Sequence, residues 1–360
     1  MAQINKPTDY FETKLYAGSS SNVTVSGLDF QPDWIWLKNR TNADNHVVCD
    51  VVRGGNSNGL GNLYPNLTDA EYLPSSTNDS IETINSDGFV VGGNGNTNGS
   101  GENFVSWSWK AGGTGVSNTD GSITSTVSAN TTSGFSIVSY TGSGSVTSFG
   151  HGLGVAPSMV IIKNRDNTDE WTVFHKGISS GQGYIVLNST AAAVTGSSRR
   201  FRYGDDSDGK IPDSSKVYLG TASGVNTSGE DYIAYCFADK KGFSKFGSYT
   251  GNGSTDGTFI YTGFKPAFVI MKRTDTTGHW LLFDNNRSSS GGSNLIQEYL
   301  YPNLADAESS DATRGIDFLS NGFKQRNNFS AINASGGSYI YMAFAKSPFT
   351  TSTGIPTTAR

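Results

Sequence analysis

Charge is scarce in this sequence: 26 Lys and Arg against 31 Asp and Glu, 16% of 360 residues, with a formal balance of −5. A phosphate-reading surface gathers lysines and arginines on a basic face, so the balance argues against a nucleic-acid partner. Cysteine is scarcer still. Cys49 and Cys236 stand far apart in the chain and cannot build a disulfide framework, and both are expected to be separate and reduced. No apolar run approaches the roughly 20 residues that span a bilayer. The opening MAQINKPTDYFETK has no apolar core of a signal peptide, which predicts synthesis in the cytoplasm without membrane insertion. Capped helical patterns are missing as well, because Gly or Asn-Gly interrupts almost every window. What is plentiful is glycine (45) and large rings (20 Phe, 16 Tyr, 6 Trp). Disordered chains lack such rings, so the Gly, Ser, Thr and Asn must form turns around packed cores.

Self-comparison gives the architecture. PDWIWLKNR (32–40), PSMVIIKNR (157–165) and PAFVIMKR (266–273) each place a lysine six residues after proline, at Lys38, Lys163 and Lys272. Eight residues further on comes a ring, at His46, Trp171 and Trp280. Tyr-x-Gly precedes each segment, at Tyr16, Tyr140 and Tyr249, and Asn-x-Ser-Gly follows, at Asn98, Asn226 and Asn333. Landmarks in constant order and spacing predict an all-β chain of three tandem antiparallel β-sandwich or jelly-roll modules of about 105 residues each. The boundaries are an N-terminal docking segment at 1–13, modules at 14–111, 135–242 and 243–349, a linker with an edge strand at 112–134, and a tail at 350–360. LYPNLTDAE (63–71) recurs as LYPNLADAE (300–308), an element read as missing from the second module. Within VSWSW, IAYCF and IYMAF the period is two, which puts Val105, Trp107 and Trp109 on one face and Ser106 and Ser108 on the other. The large face is expected to fill the core of its own module, so that losing Trp107 or Trp109 would unfold that module alone. The shared Asn-x-Ser-Gly turn calls for a positive φ.

Chemistry is hard to find. Of the histidines, His46 stands where the other units carry Trp, His151 lies in a GHGLG turn, and His175 and His279 have no counterpart, so no catalytic triad is assembled. No glycine-rich piece ends in the Gly-Lys-Ser/Thr of a phosphate loop. GDDSDGK (204–210) departs from calcium-loop spacing and reads as a hairpin turn. Asp69 with Glu71, and Asp306 with Glu308, could hold a cation, though a solvated turn is the plainer reading. Tyr64 and Tyr301 in the same element are candidates to stack on sugar rings, with a structural lid as the alternative. No catalytic residue, metal or cofactor is expected.

INKPTDYFETKLYAG, FQPDWIWLKNR, SWSWKAGG, STVSANTTSGFSIVSYTGSG, GHGLGVAPSMVIIKNR, YIAYCFADKKGFSKFGSYTGNG and the ending SPFTTSTGIPTTAR resemble modules of tail-fibre and related virion proteins of tailed bacteriophages, often marine. The resemblance implies a non-enzymatic virion structural protein, a tail fibre or tail-associated attachment protein located on the particle. Its implied partners are other virion proteins, its own copies in a homotrimer joined through the flat faces of the modules, and a host-surface glycan. The competing readings are a head-surface decoration protein, a lectin-like module and a virion depolymerase, the last of which would need a carboxylate pair in a cleft.

Overall fold

The computed structural model describes residues 3–77, 79–178, 183–195, 199–201, 211–289 and 293–357. The chain is all-β, with antiparallel sheets and, among the described residues, three single-turn α-helices and two 3-10 turns. Three sheets share one strand plan. The first runs in the order Phe11–Ala17, Asn103–Trp109, Trp34–Asn39, Val47–Asp50; the third runs Ser244–Thr250, Ser338–Pro348, Phe264–Arg273, Trp280–Asp284. The second has the same centre, Phe135–Thr141, Asp231–Phe237, Met159–Asn164, Thr172–His175, and adds Ser125–Asn130 and Val116–Asn118 at one edge. A smaller sheet covers one face of each. It carries Val23–Val25 with Gly88–Val91 in the first sandwich, Thr147–Gly150 with Lys216–Leu219 in the second, and Phe259–Tyr261 with Gly322–Gln325 in the third.

Local sequence explains the shared turns. Asn98, Asn226 and Asn333 each end a single-turn helix, and each side-chain oxygen accepts the backbone N–H of Ser19, Ser143 and Asn252, at 2.9, 2.7 and 3.0 Å. The hydroxyls of Tyr16, Tyr140 and Tyr249 donate to the carbonyls of Thr97, Val225 and Ile332 inside the same turns. Two residues after each tyrosine only glycine fits, since a Cβ on Gly18, Gly142 or Gly251 would meet a carbonyl oxygen at 2.0 to 2.3 Å. Gly101, Gly229 and Gly336 adopt φ of 75, 80 and 72°, as the Asn-x-Ser-Gly pattern required.

The faces are the reverse of the sequence expectation. Inside each sandwich lies the other face: Ile35, Leu37, Val47 and Cys49 in the first, Val160, Ala234 and Cys236 in the second, Val269, Ala343 and the larger Tyr341 in the third. The large face, with Trp34, Trp36, Trp107 and Trp109, packs against Met159, Ile161, Tyr235 and Phe237 of the second sheet and Phe268, Ile270, Met342 and Phe344 of the third. Ring contacts cross every junction: Trp34 to Tyr235 at 4.7 Å, Trp109 to Phe268 at 5.6 Å, Phe237 to Phe344 at 6.1 Å. The three sheets therefore enclose one common core, a ring of three within a single chain. The flat faces expected to join a homotrimer are already covered by the chain itself.

The strand expected within the linker forms: Ser125–Asn130 pairs with Phe135–Thr141, and the Asp33 carboxylate accepts the N–H of Ala111 and Gly113. One other expectation changes. The N-terminal segment does not stand free for docking. Ile4 is buried, its N–H donates to the Lys241 carbonyl at 3.0 Å, Asn5 is hydrogen-bonded to Ser352, and Tyr10 packs on Phe243. Deleting residues 1–10 is accordingly expected to lower stability by at least about 2 kcal/mol in urea denaturation, the order of one buried aliphatic side chain. An unchanged midpoint would show that the segment is dispensable to the body.

Candidate functional site

Polar chemistry gathers at the three seams between sheets. Register equates Leu63, Ile185 and Leu300, which bridge to Val48, Val173 and Leu282. LYPNLTDAE, IVLNSTAAA (185–193) and LYPNLADAE are thus one element, and the second sandwich does possess it. In each copy the asparagine (Asn66, Asn188, Asn303) accepts the backbone N–H of the ring residue of its own sandwich, at 3.0, 2.9 and 3.0 Å. The ring then donates across a seam. Trp171 Nε1 reaches the Tyr64 carbonyl at 3.0 Å, Trp280 Nε1 the Val186 carbonyl at 3.0 Å, and His46 Nε2 the Tyr301 carbonyl at 3.1 Å, closing the circle.

Two seams add a charged clasp. Between the first and second sheets, Arg53 is held by Asp50 and Glu71, and the other oxygen of Glu71 takes Arg165 Nε at 2.7 Å. Between the third and first, Arg287 is held by Asp284 and Glu308, and Glu308 also pairs with Arg40, Nη2 to Oε1 at 2.7 Å. The two inner arginines and aspartates are fully buried. Glu71 and Glu308, considered above as cation ligands in a solvated turn, are consumed by arginine. Among the described residues no group of three His, Cys, Asp or Glu is placed to hold a metal. Each clasp aspartate also accepts a donor from the neighbouring sheet, Tyr235 Oη on Asp50 at 2.8 Å and Trp107 Nε1 on Asp284 at 3.1 Å.

The third seam has lost the whole set. His175, Ile178, Ala193 and Thr274 stand at the positions of Asp50, Arg53, Glu71 and Arg165. Met342 replaces the donor at the Tyr235 position and cannot donate; His175 Nε2 donates instead to the Tyr341 carbonyl at 3.1 Å. A cleft of about 450 Å³, lined by Ile178, Ala193, Thr274 and Asp275 among others, opens there.

The histidines are committed. His46, His151 and His175 each donate from Nε2 to a carbonyl and accept at Nδ1, from Trp36 Nε1, Leu153 N and Gly177 N. That pattern needs the neutral ring, and burial lowers all three pKa values, His175 to about 4. His279 bonds Asn303 through Nδ1. Tyr64 and Tyr301 are half-buried against the first and third cores, and burial raises both hydroxyls to about 12. Their carbonyls serve the seams, and the Tyr301 hydroxyl accepts from Arg314 at 2.6 Å. GDDSDGK lies outside the described residues. Cys49 and Cys236 are free and buried in different sandwiches.

Lys38, Lys163 and Lys272 end their strands fully buried. Lys38 and Lys163 donate to the carbonyls one and four residues on, whereas Lys272 reaches Arg273, Thr190 and Ala191. Burial pushes all three down to about 8 from the ordinary 10.5. Between those values the unfolded chain binds more protons than the folded one, so stability rises with pH, by up to about 1.4 kcal/mol per unit for each lysine. Above about pH 9 to 10 the buried cysteines and tyrosines, whose pKa values are raised, reverse the slope. Below pH 6.5 the histidines, neutral when folded, take stability away. Urea midpoints are expected to peak near pH 9.5, and Lys38→Met should flatten the rising limb. A midpoint that falls from pH 7.5 to 9.5 would refute this account.

A groove of about 490 Å³ lies where the two ends of the chain meet the third sandwich; Gln3, Asp239, Lys241, Lys245, Tyr261 and Phe349 line it. No curated protein and no solved structure matches the chain. A family described as Domain of unknown function (DUF7483) matches residues 6–348, a span that takes in all three sheets and every seam between them, and the chain belongs to that family.

Proposed function

We propose that the chain is a non-enzymatic structural protein of a tailed-bacteriophage virion, a tail fibre or tail-associated attachment protein, with a head-surface position as the alternative. One observation carries the reading: the side chains most suited to chemistry are spent on structural contacts, most of them between sheets. Three histidines are locked neutral with both ring nitrogens bonded, and the clasp arginines and carboxylates neutralise one another. An enzyme keeps such groups in reach of substrate with protonation poised near working pH. Here they hold a rigid body, and binding is left to the outward loops and grooves. Assembly with other virion proteins, or between copies in a homotrimer, falls to those outer surfaces, because the flat faces are used internally. Immunogold electron microscopy of purified particles with an antibody to this chain tests the proposal. Gold on the tail or the head surface supports it and separates the two positions, whereas confinement of the chain to the soluble fraction of lysed cells would overturn it.

A further inference from the structure

The three small sheets offer an internal comparison. Val25, Phe149 and Ile260 are buried members of equivalent strands, paired with Phe89, Val217 and Phe323. Their neighbours lie on the opposite face of the small sheet. In the first sandwich these are the exposed Thr24 and Ser26; in the second they are Ser148 and Gly150, buried against Asn118 and Ser122; in the third they are Phe259 and Tyr261, 43% and 61% exposed. Two large rings thus stand in solvent where the first sandwich exposes small residues and the second covers small ones with its own chain, at a cost the fold does not require. Tyr261 lines the 490 Å³ groove and faces it with Phe349, itself 37% exposed.

The groove's charge runs against that of the chain. Asp239 is shared between Lys176 and Lys245, at 2.6 and 3.4 Å, while Lys241 is exposed and makes no ion pair among the described residues. The groove's own lining therefore sets one carboxylate against three lysines, Lys241, Lys245 and Lys240, the last turned to the Thr131 carbonyl, in a chain of net charge −5. Gln3 donates from its amide to the Thr350 carbonyl, which fixes its position and leaves its oxygen available to accept. The volume lies within the roughly 300 to 1,000 Å³ of small-ligand sites. A protein partner would need some 20 to 30 residues on this side, more than the groove presents.

We propose that this groove binds an anionic saccharide. The Tyr261 ring stacks on one sugar face, with Phe349 as the second apolar wall. Lys241 and Lys245 receive the carboxylate, sulfate or phosphate of the sugar, and the Gln3 oxygen accepts from a hydroxyl. The site stands on its own geometry and does not depend on where the chain resides, so glycan binding and particle labelling can fail separately.

The test is calorimetric titration of the full chain with a panel of uronic, sialylated, sulfated and phosphorylated oligosaccharides, each beside its uncharged counterpart and beside poly-glutamate. At least one anionic member is expected to bind at least tenfold tighter than its neutral counterpart. Tyr261→Ala and Lys241→Glu should each weaken it tenfold or more with unchanged urea midpoints, and Tyr64→Ala should leave it intact. Lys241→Arg should restore binding, because the contact is one of charge. Failure of the whole panel, binding that survives both substitutions, or equal affinity for poly-glutamate, which would mark an acidic protein segment as the occupant, would each overturn the assignment.

Discussion

Trp109→Ala is expected to destabilise the entire chain by about 3 to 5 kcal/mol, with one cooperative transition before and after the substitution. The indole lies against Phe11 and Trp34 of its own sheet, at 4.9 and 4.4 Å, and against Phe268 and Phe344 of the third, at 5.6 and 5.5 Å. Trp34 passes the contact on to Tyr235 and Phe237 of the second sheet. Among the described residues each of the three large faces packs mainly on the other two, with Leu63, Leu187 and Leu300 of the seam elements filling in. When one sheet loosens, the remaining pair expose their rings to water, and the loss cannot stay within one sandwich. Differential scanning calorimetry decides the matter through the ratio of calorimetric to van't Hoff enthalpy. A ratio near one is the expected result. A Trp109→Ala protein that melts in two steps, with two sandwiches surviving the first, would mean that the common core does not couple them.

Strand positions, the lysine at each strand end and the Asn-x-Ser-Gly turn are legible in the sequence because local geometry dictates them. A two-residue period shows which side chains share a face. It does not show what covers that face, and so the burial of Trp107 and Trp109 is legible while the core they enter, shared by three sheets and not their own module's, is not. Size was the available signal: Ser106, Ser108, Ala234 and Cys236 suit a closely spaced pair of sheets, while the rings suit a wider junction among three. The seam element is hard to see in the second sandwich because IVLNSTAAA keeps only the asparagine, one threonine and one alanine of LYPNLTDAE and trades both acids for alanine. That trade was itself informative. Thr274 replaces arginine in the segment where Arg40 and Arg165 otherwise stand, a matched loss of both charges. The partners lie in different sandwiches, Arg165 with Glu71 and Arg40 with Glu308, so comparing each segment only with its own copies could not pair them. Nor could the aromatic pair Phe259 and Tyr261 be told from core residues, since alternation around a buried Ile260 looks the same from either side.

The open seam also supplies a natural control for the charged ones, and Glu71→Ala should expose the difference. Removing this carboxylate leaves Arg53, fully buried, with Asp50 as its one carboxylate among the described residues and strips Arg165 of its ion pair. Breaking a buried ionic set by deleting one member costs about 3 to 5 kcal/mol, because an uncompensated charge stays behind. Deleting the set as a whole is a different experiment. At the third seam the chain already carries His175, Ile178, Ala193, Thr274 and Met342 in place of Asp50, Arg53, Glu71, Arg165 and Tyr235, and the two sheets remain packed there. The variant with Asp50→His, Arg53→Ile, Glu71→Ala, Arg165→Thr and Tyr235→Met transplants that solution. It removes both arginines together with their acids, and the new imidazole can seek a backbone carbonyl as His175 does. Urea denaturation is expected to rank wild type above the fivefold variant and the fivefold variant above Glu71→Ala, with at least half of the single-site loss recovered. That order follows from desolvation: paired charges barely offset the cost of their own burial, whereas an unpaired one bears it in full. If the fivefold variant instead loses the sum of its single substitutions, the clasp contributes net stability of its own, and the equivalence drawn between charged and neutral seams is wrong.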